Sequence, residues 1–174
     1  MDIAVVIGHP RPRSRTHGAA LKIAHELAEL GDGTITTEID LATLGPALLA
    51  WGDPEVERVV DRLCSADVAL VVSPTFKASY TGLLKVFLDQ VSAGGLAGVV
   101  GLPLMVGGNP HHASAPELLL RPLLTELGAT CPVRGHYMLD ADLENPMLPD
   151  EWLTTGVTMA RALHGAPQGV ASRT

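Results

Sequence analysis

The chain has 174 residues, a length that suits one domain with a sizeable core. Hydrophobic residues make up 47% and aromatic residues 3%, so we expect a globular protein with an aliphatic core. The formal net charge of -7 argues against a broad basic face for nucleic acids or membrane surfaces. No apolar run approaches the length of a membrane span and no signal peptide is recognisable, so we expect a cytoplasmic protein.

Apolar or β-branched runs alternate along the chain with segments of helical periodicity. The predicted strands are residues 1–7, 34–39, 68–72, 99–106 and 132–139. The predicted helices are capped by Ser14 or Thr16, or begin at Asp53 with Pro54, at Thr81, at Pro116 and at Asp150. Residues 1–165 form the predicted domain, and residues 166–174 form a predicted mobile tail.

Several residues predict local details of these elements. Gly31 and Gly33 are expected to end the first helix. Residues 42–52 are predicted to be a loop whose leucines and Trp51 cap an edge of the core, with docking of a partner as the alternative. Pro103 predicts that its strand lies near an edge or a bulge. Pro122 falls inside a helical leucine pattern and predicts a kink or bulge just before it.

Repeated βα units predict a parallel sheet with helices on both faces. Ligands of such sheets bind beyond the carboxyl ends of the strands, where the strand order reverses. Loops 8–16, 74–80 and 107–112 are therefore expected to form one site. The chain lacks GxGxxG and GxxxxGK[ST], which disfavours a Rossmann dehydrogenase or a kinase.

The first loop predicts an anion site. A helix starting at Ser14 or Thr16 directs unpaired N–H groups and the positive end of its dipole into the loop, where a phosphate can bind. Arg11, Arg13 and Arg15 add positive charge in a chain that is negative as a whole. A solvated basic turn is the alternative.

The other two loops carry weaker signals. Phe76 and Tyr80 could border a flat ring, or simply pack in the core. Gly107 and Gly108, followed by Asn109, let the backbone approach a ligand closely. Neither the histidines nor the two cysteines show ligand spacing, so no metal site is predicted.

Segments 8–16, 73–85 and 107–123 together resemble the NAD(P)H-dependent FMN reductases, and most of all the alkanesulfonate-monooxygenase reductase branch. The specific block is Ser73-Pro74-Thr75-Phe76-Lys77-Ala78-Ser79-Tyr80. This resemblance implies a flavodoxin-like three-layer α/β sandwich with strand order 2-1-3-4-5. It also implies transfer of a hydride from NADPH or NADH to FMN.

The resemblance also implies roles for residues. Ser14, Arg15 and Thr16 would hold the FMN phosphate. Pro74, Thr75, Phe76 and Lys77 would line the flavin ring, with Gly107 and Gly108 at its other edge. The full predicted cofactor-binding set is His9, Arg11, Ser14, Arg15, Thr16, Pro74, Thr75, Phe76, Lys77, Gly107, Gly108 and Asn109.

Two positions depart from the family pattern. His9 stands where relatives usually have Ser, and Leu118 stands where the sulfonate branch has Tyr. No catalytic acid or base is identified, because the chemistry is centred on the flavin. Lys77 is the candidate electrostatic helper, and we expect backbone N–H groups of the second or third loop to stabilise charge on the ring. Arg11 and Arg13 could meet the 2′-phosphate of NADPH.

The expected partners are flavin and nicotinamide, a flavin-dependent monooxygenase, and further copies of the chain as a homodimer or homotetramer, with neither nucleic acid nor membrane. Two other flavin functions remain open, a flavin-bound reductase of quinones, azo compounds or metal ions, and a flavodoxin-like electron carrier. A non-flavin interaction domain on the same scaffold is the third alternative.

Overall fold

The computed structural model describes residues 1–165, and the predicted tail lies outside the described residues. Five parallel strands form one sheet in the order β2-β1-β3-β4-β5, which confirms the predicted fold class and strand order. The strands are β1 (Asp2–Ile7), β2 (Thr34–Asp40), β3 (Val68–Pro74), β4 (Val100–Gly107) and β5 (His136–Leu139).

Helices cover both faces of the sheet. They are α1 (Arg15–Gly31), α2 (Leu41–Leu44), α3 (Pro54–Cys64), α4 (Gly82–Leu88), α5 (Arg121–Glu126) and α6 (Asp150–Gly165). α1 and α6 pack on one face, and α3, α4 and α5 pack on the other, so two apolar layers enclose the sheet. β3 is buried along its whole length because both layers cover it. None of the helices within residues 1–165 is long and apolar enough to cross a bilayer.

The prediction of a loop over residues 42–52 is wrong in part. α2 and a 3₁₀ turn, Gly45–Leu49, occupy most of it, and Asp40 caps α2 through Ala42 N–H at 3.3 Å. Leu44 and Leu48 are buried in the core, as the core-capping interpretation expects. Trp51 is 74% exposed and so takes no part in that core.

Pro103 lies in an interior strand but faces a local gap in the sheet. Gly101 N–H donates to Thr130 O at 2.9 Å, and β5 begins to pair with β4 only at Leu104 opposite His136. Residues two apart in a strand direct their N–H groups to the same side. Pro103 therefore lacks its N–H where no β5 backbone is there to accept it, which agrees with the predicted edge-like setting.

Pro122 follows a π-helical turn, Pro116–Leu120, that runs directly into α5. Arg121 N–H donates to Pro116 O, the five-residue spacing of a π-helix. The distortion predicted just before Pro122 is confirmed, since a proline cannot continue the α-helical ladder.

α1 ends at Gly31, as predicted, but the residue that caps its end is not a glycine. Asp32, rather than a glycine, takes the left-handed conformation there, with φ 49°. Gly33 is required for another reason, because a Cβ there would lie 2.7 Å from Met1 O. Gly31 and Gly33 have no side chains, so Met1 can pass close to the end of α1.

Candidate active site

Ser14 caps α1, which confirms one of the two predicted caps. Its Oγ accepts a hydrogen bond from His17 N–H at 3.2 Å, and its own backbone is extended. The N–H groups of Arg15 and Thr16, in the first turn, have no intrahelical acceptor, as at any helix start. The exposed side chain of Arg15 stands beside them. This corner presents donors and positive charge to an anion.

A buried hydroxyl network fixes the first loop to the second. Thr81 Oγ1 donates to Gly8 O at 2.7 Å and accepts from Leu84 N–H at 3.1 Å. Ser73 Oγ accepts from Thr81 N–H at 3.0 Å. Gly8 has no room for a side chain, because a Cβ would lie 2.9 Å from Leu84 Cβ. The ends of β1 and β3 are therefore held in a fixed relation.

The second loop is a tight backbone turn that presents Phe76. Phe76 and Ser79 exchange backbone hydrogen bonds of 2.9 and 3.1 Å. The two residues between them, Lys77 and Ala78, both have positive φ, at 52° and 65°. Such a turn normally uses Asn or Gly, so this one stores backbone strain. Phe76 is left 50% exposed, while Tyr80 packs against the core.

The third loop needs a glycine at its start. A Cβ on Gly107 would lie 2.3 Å from Tyr137 Oη and 3.2 Å from Thr75 Cβ. Tyr137 is held there by donating its hydroxyl proton to Asn109 O at 2.9 Å. The absence of a side chain at position 107 thus keeps the floor of the site open beside Thr75.

These loops surround one cleft of about 300 Å³ at the carboxyl ends of the strands. Ten of the twelve predicted cofactor-binding residues line it. They are His9, Arg11, Ser14, Arg15, Thr16, Pro74, Thr75, Phe76, Gly107 and Gly108. The structure therefore brings together residues from three loops that are far apart in the sequence.

Two predicted residues lie outside the lining of the cleft. Lys77 sits at the tip of the strained turn. The Asn109 side chain accepts from His111 N–H at 3.0 Å and caps a short 3₁₀ turn. Arg13 also lies outside the lining, and its backbone N–H donates to Asp40 Oδ2 at 2.9 Å.

Sequence reasoning missed three residues that line the cleft, Val106, Asp140 and Leu143. Asp140 follows directly after β5, so the argument from strand ends that found the other loops could have found it. Its carboxylate is an acidic neighbour of Gly108, with Oδ2 3.3 Å from the Cβ position there.

A larger cleft of about 500 Å³ lies elsewhere, between Trp51, Cys64 and Gln90. Burial, and to a lesser extent the nearby Asp61 carboxylate, raises the pKa of the Cys64 thiol, which therefore stays protonated and unreactive near neutral pH. This cleft is away from the strand ends and the anion corner, so the smaller cleft is the candidate site.

The smaller cleft fits a flavin mononucleotide by its donors. Arg15 and the start of α1 suit a phosphate dianion. Thr75 Oγ1 is buried, and within residues 1–165 it has no hydrogen-bond partner. A hydroxyl of this kind costs free energy unless a ligand engages it. Because Gly107 has no side chain, a flat ring can come close to its backbone.

Fold and cleft together define a flavodoxin-like protein with a phosphate corner beside a space for a ring. The family of NADPH-dependent FMN reductases matches residues 1–144, and the chain belongs to this family. It is therefore an oxidoreductase that transfers a hydride from a reduced nicotinamide to FMN.

Two curated relatives agree with this assignment. The chain is 34% identical over 142 residues to an FMN reductase (NADPH) of Pseudomonas aeruginosa, covering 77% of this chain and 76% of the relative. It is 32% identical over 140 residues to the NADH-dependent FMN reductase SfnF of Pseudomonas putida, covering 78% and 75%. The relatives therefore include both an NADPH-dependent and an NADH-dependent enzyme.

Solved structures are also similar. The apo crystal structure of an NADH:FMN oxidoreductase superposes with a TM-score of 0.80 at 32% identity, covering 92% of this chain and 88% of that one. An archaeal flavodoxin superposes with a TM-score of 0.58 at 17% identity, covering 94% and 99%, which shows the fold alone.

Proposed function

We propose that the cleft of about 300 Å³ binds FMN with its phosphate at the start of α1 and its ring between Phe76 and the end of β4. The observation that carries this proposal is that one cleft is lined by Arg15, the first turn of α1 and the Thr75 hydroxyl, which has no hydrogen-bond partner among residues 1–165. FMN, when bound, supplies the hydride acceptor. The protein binds the phosphate, orients the ring and leaves one ring face open to nicotinamide.

Backbone hydrogen bonds narrow the groups that can stabilise charge on the ring. Thr75 N–H donates to Val106 O at 2.6 Å, and Phe76 N–H donates to Ser79 O. Both N–H groups are already used, Lys77 and Ala78 lie outside the lining of the cleft, and Gly107 pairs with Leu139 of β5, so Gly108 of the third loop is our candidate donor. Lys77 stays a candidate only as a long-range charge, because it lies outside the lining of the cleft.

The open cleft supports release of reduced flavin to a flavin-dependent monooxygenase. Phe76 is the aromatic side chain in the lining, and it is half-exposed, so the ring would be only partly covered. Arg11 also lines the cleft and offers a guanidinium to the 2′-phosphate of NADPH, which supports NADPH as the preferred donor. Location in the cytoplasm and assembly as a homodimer or homotetramer stay predictions.

The phosphate site is tested with FMN and riboflavin, since riboflavin lacks the phosphate. We expect Arg15→Ala to weaken FMN binding about tenfold or more, because a charge-assisted contact contributes about 1.5–3 kcal/mol. The double variant Ser14→Ala with Arg15→Ala should weaken it further. Riboflavin binding should stay unchanged in both. The measurement is a titration of flavin fluorescence.

Arg62→Ala is the matched control, because Arg62 is an exposed arginine on α3, on the other face of the sheet. It should leave the dissociation constants of both flavins unchanged. Equal losses for FMN and riboflavin, or no loss for FMN in the double variant, would rule out a phosphate at this corner.

A further inference from the structure

Arg13, in the loop that leads into α1, has a strained backbone conformation. Its φ is 51°, in the left-handed region, where a residue with a side chain is strained and glycine is not. Arg13 itself is exposed and lies outside the lining of the cleft. Ser14, which caps α1, and Arg15 follow it directly. The backbone conformation of Arg13 therefore determines where the residues of the proposed phosphate corner lie.

Among residues 1–165, a single hydrogen bond fixes residues 9–13 to the rest of the protein. Arg13 N–H donates to Asp40 Oδ2 at 2.9 Å, across 27 positions of the sequence. The other contact of this stretch is internal, because His9 Nδ1 meets the backbone of Arg11. The hydrogen bond to Asp40 is therefore the contact that holds Arg13 in its left-handed conformation.

Asp40 is a rigid acceptor for this hydrogen bond. It ends β2, where its backbone pairs opposite Ile7 of β1, and it is 7% exposed. Its Oδ1 accepts from Ala42 N–H at 3.3 Å at the start of α2. Its Oδ2, which accepts from Arg13, also lies 3.1 Å from His17 Nδ1. The sheet and these neighbours fix the carboxylate beside the loop, and a carboxylate is a stronger acceptor than a neutral oxygen.

We propose that Asp40 is a positioning residue for the FMN phosphate. It lies outside the lining of the cleft and acts through Arg13. By holding Arg13 in its left-handed conformation, it keeps Ser14 and Arg15 in place before FMN binds, so binding does not have to order them. Without Asp40 the loop relaxes in the free protein, and FMN binds only the fraction that still has the strained conformation. This inference rests on the proposed location of the phosphate.

The test is a double-mutant cycle between positions 40 and 13. Asp40→Ala is measured alone, with Arg13→Gly and with Arg13→Ala, and each Arg13 variant is also measured alone. Both Arg13 variants lack the guanidinium, and they differ in the cost of a positive φ, which is low for glycine and high for alanine. Dissociation constants of FMN and riboflavin come from flavin fluorescence. No nicotinamide is present, so a contact of Arg13 with NADPH does not affect the result.

We expect Asp40→Ala to weaken FMN binding about tenfold, both alone and in the Arg13→Ala background, because the strained conformation is then no longer held. In the Arg13→Gly background the loss should be about threefold or less, since glycine adopts a positive φ at little cost. Riboflavin affinity should stay unchanged in every variant. Asp53→Ala is the matched control, because Asp53 caps α3 by accepting from Glu55 N–H at 2.9 Å. It removes a helix cap away from the cleft and should leave both dissociation constants unchanged.

Arg13→Pro tests the same contact without changing Asp40 and decides the matter if Asp40→Ala does not fold. Proline has φ near −65° and no N–H, so it removes both the left-handed conformation and the hydrogen bond. It should weaken FMN binding about tenfold and leave riboflavin binding unchanged.

Three results would overturn the inference. The first is unchanged FMN affinity in Asp40→Ala or in Arg13→Pro, and the second is an equal loss for FMN and riboflavin. The third is the same effect of Asp40→Ala in the Arg13→Gly and Arg13→Ala backgrounds, because Asp40 would then act through His17 or α2. In each case the proposed phosphate site would still stand if Arg15→Ala discriminated between FMN and riboflavin.

Discussion

Thr75 combines a buried hydroxyl with a place in the wall of the cleft, and the two properties predict opposite effects of one substitution. Its Oγ1 has no hydrogen-bond partner within residues 1–165, and a buried hydroxyl of this kind costs about 1–3 kcal/mol. Thr75→Val removes the hydroxyl at nearly constant volume. We expect the free energy of unfolding without flavin to stay constant or rise by about 1 kcal/mol. FMN affinity should fall about threefold to tenfold, since a ligand contact is lost.

The matched control is Thr81→Val, which makes the same chemical change where the hydroxyl has two partners. Thr81 Oγ1 bonds Gly8 O and Leu84 N–H. Its loss should lower the free energy of unfolding by about 1–3 kcal/mol. Urea denaturation gives both values, and flavin titration gives the affinity. If Thr75→Val destabilised the protein as much as Thr81→Val, the interpretation of Thr75 as a flavin ligand would be wrong.

The π-helical turn before α5 depends on contacts with the segment that leads into β5. Glu117 Oε2 accepts from Gly135 N–H at 2.7 Å, and Glu117 Oε1 accepts from Arg121 at 3.2 Å. Arg121 also donates to Cys131 O at 3.0 Å. Glu117 therefore joins the helix to the sheet edge through a backbone group and a charged side chain.

Glu117→Ala should lower the free energy of unfolding by about 1–3 kcal/mol, because it leaves Gly135 N–H without its acceptor and removes one of the two acceptors of Arg121. Glu126→Ala, an exposed position at the end of α5, should change it by less than about 0.5 kcal/mol. Urea denaturation of both variants at one pH makes the comparison. Equal effects would show that the Glu117 contacts contribute nothing to stability.

The same contacts explain why one predicted strand is too long. Residues 132–139 look like a strand from their apolar pattern, but β5 begins only at His136. Gly135 gives its N–H to Glu117 instead of to a neighbouring strand, and a Cβ there would lie 2.4 Å from Pro116 C. This close approach joins residues that are distant in the sequence, so no local sequence pattern predicts it. The distortion at Pro122 was predictable, because its cause is the proline itself.

The candidate site, like the fold, has one part that the sequence predicts and one part that it does not. The loops after β1, β3 and β4 were predictable, because parallel strands bring their carboxyl ends to one edge of the sheet. The contacts of His17 with Glu38 and Asp40 were not, since they depend on the register between α1 and β2. The roles of the cleft residues in binding FMN remain predictions.

At the scale of the whole molecule, exposed leucines bear on the predicted self-association. The leucine-rich helix α4 turns most of its apolar side chains inward, and Leu84, Phe87 and Leu88 are buried. Leu118, in the π-helical turn, is 65% exposed, and Leu119 beside it is partly exposed. The surface for another copy of the chain is therefore expected at this turn, where burial of apolar area would favour association.

Sedimentation velocity at micromolar concentration should show a species larger than the 18.2 kDa chain. Leu118→Asp should shift it towards the monomer, because a carboxylate buried between copies without a partner would lose its hydration. Leu30→Asp, at an exposed leucine of α1, is the control and should leave the assembly unchanged. A monomer in the unaltered protein would refute self-association, whereas an assembly that tolerates Leu118→Asp would place the interface elsewhere on the surface. Because Leu118 lies outside the lining of the proposed flavin cleft, its substitution should change assembly while FMN affinity stays constant.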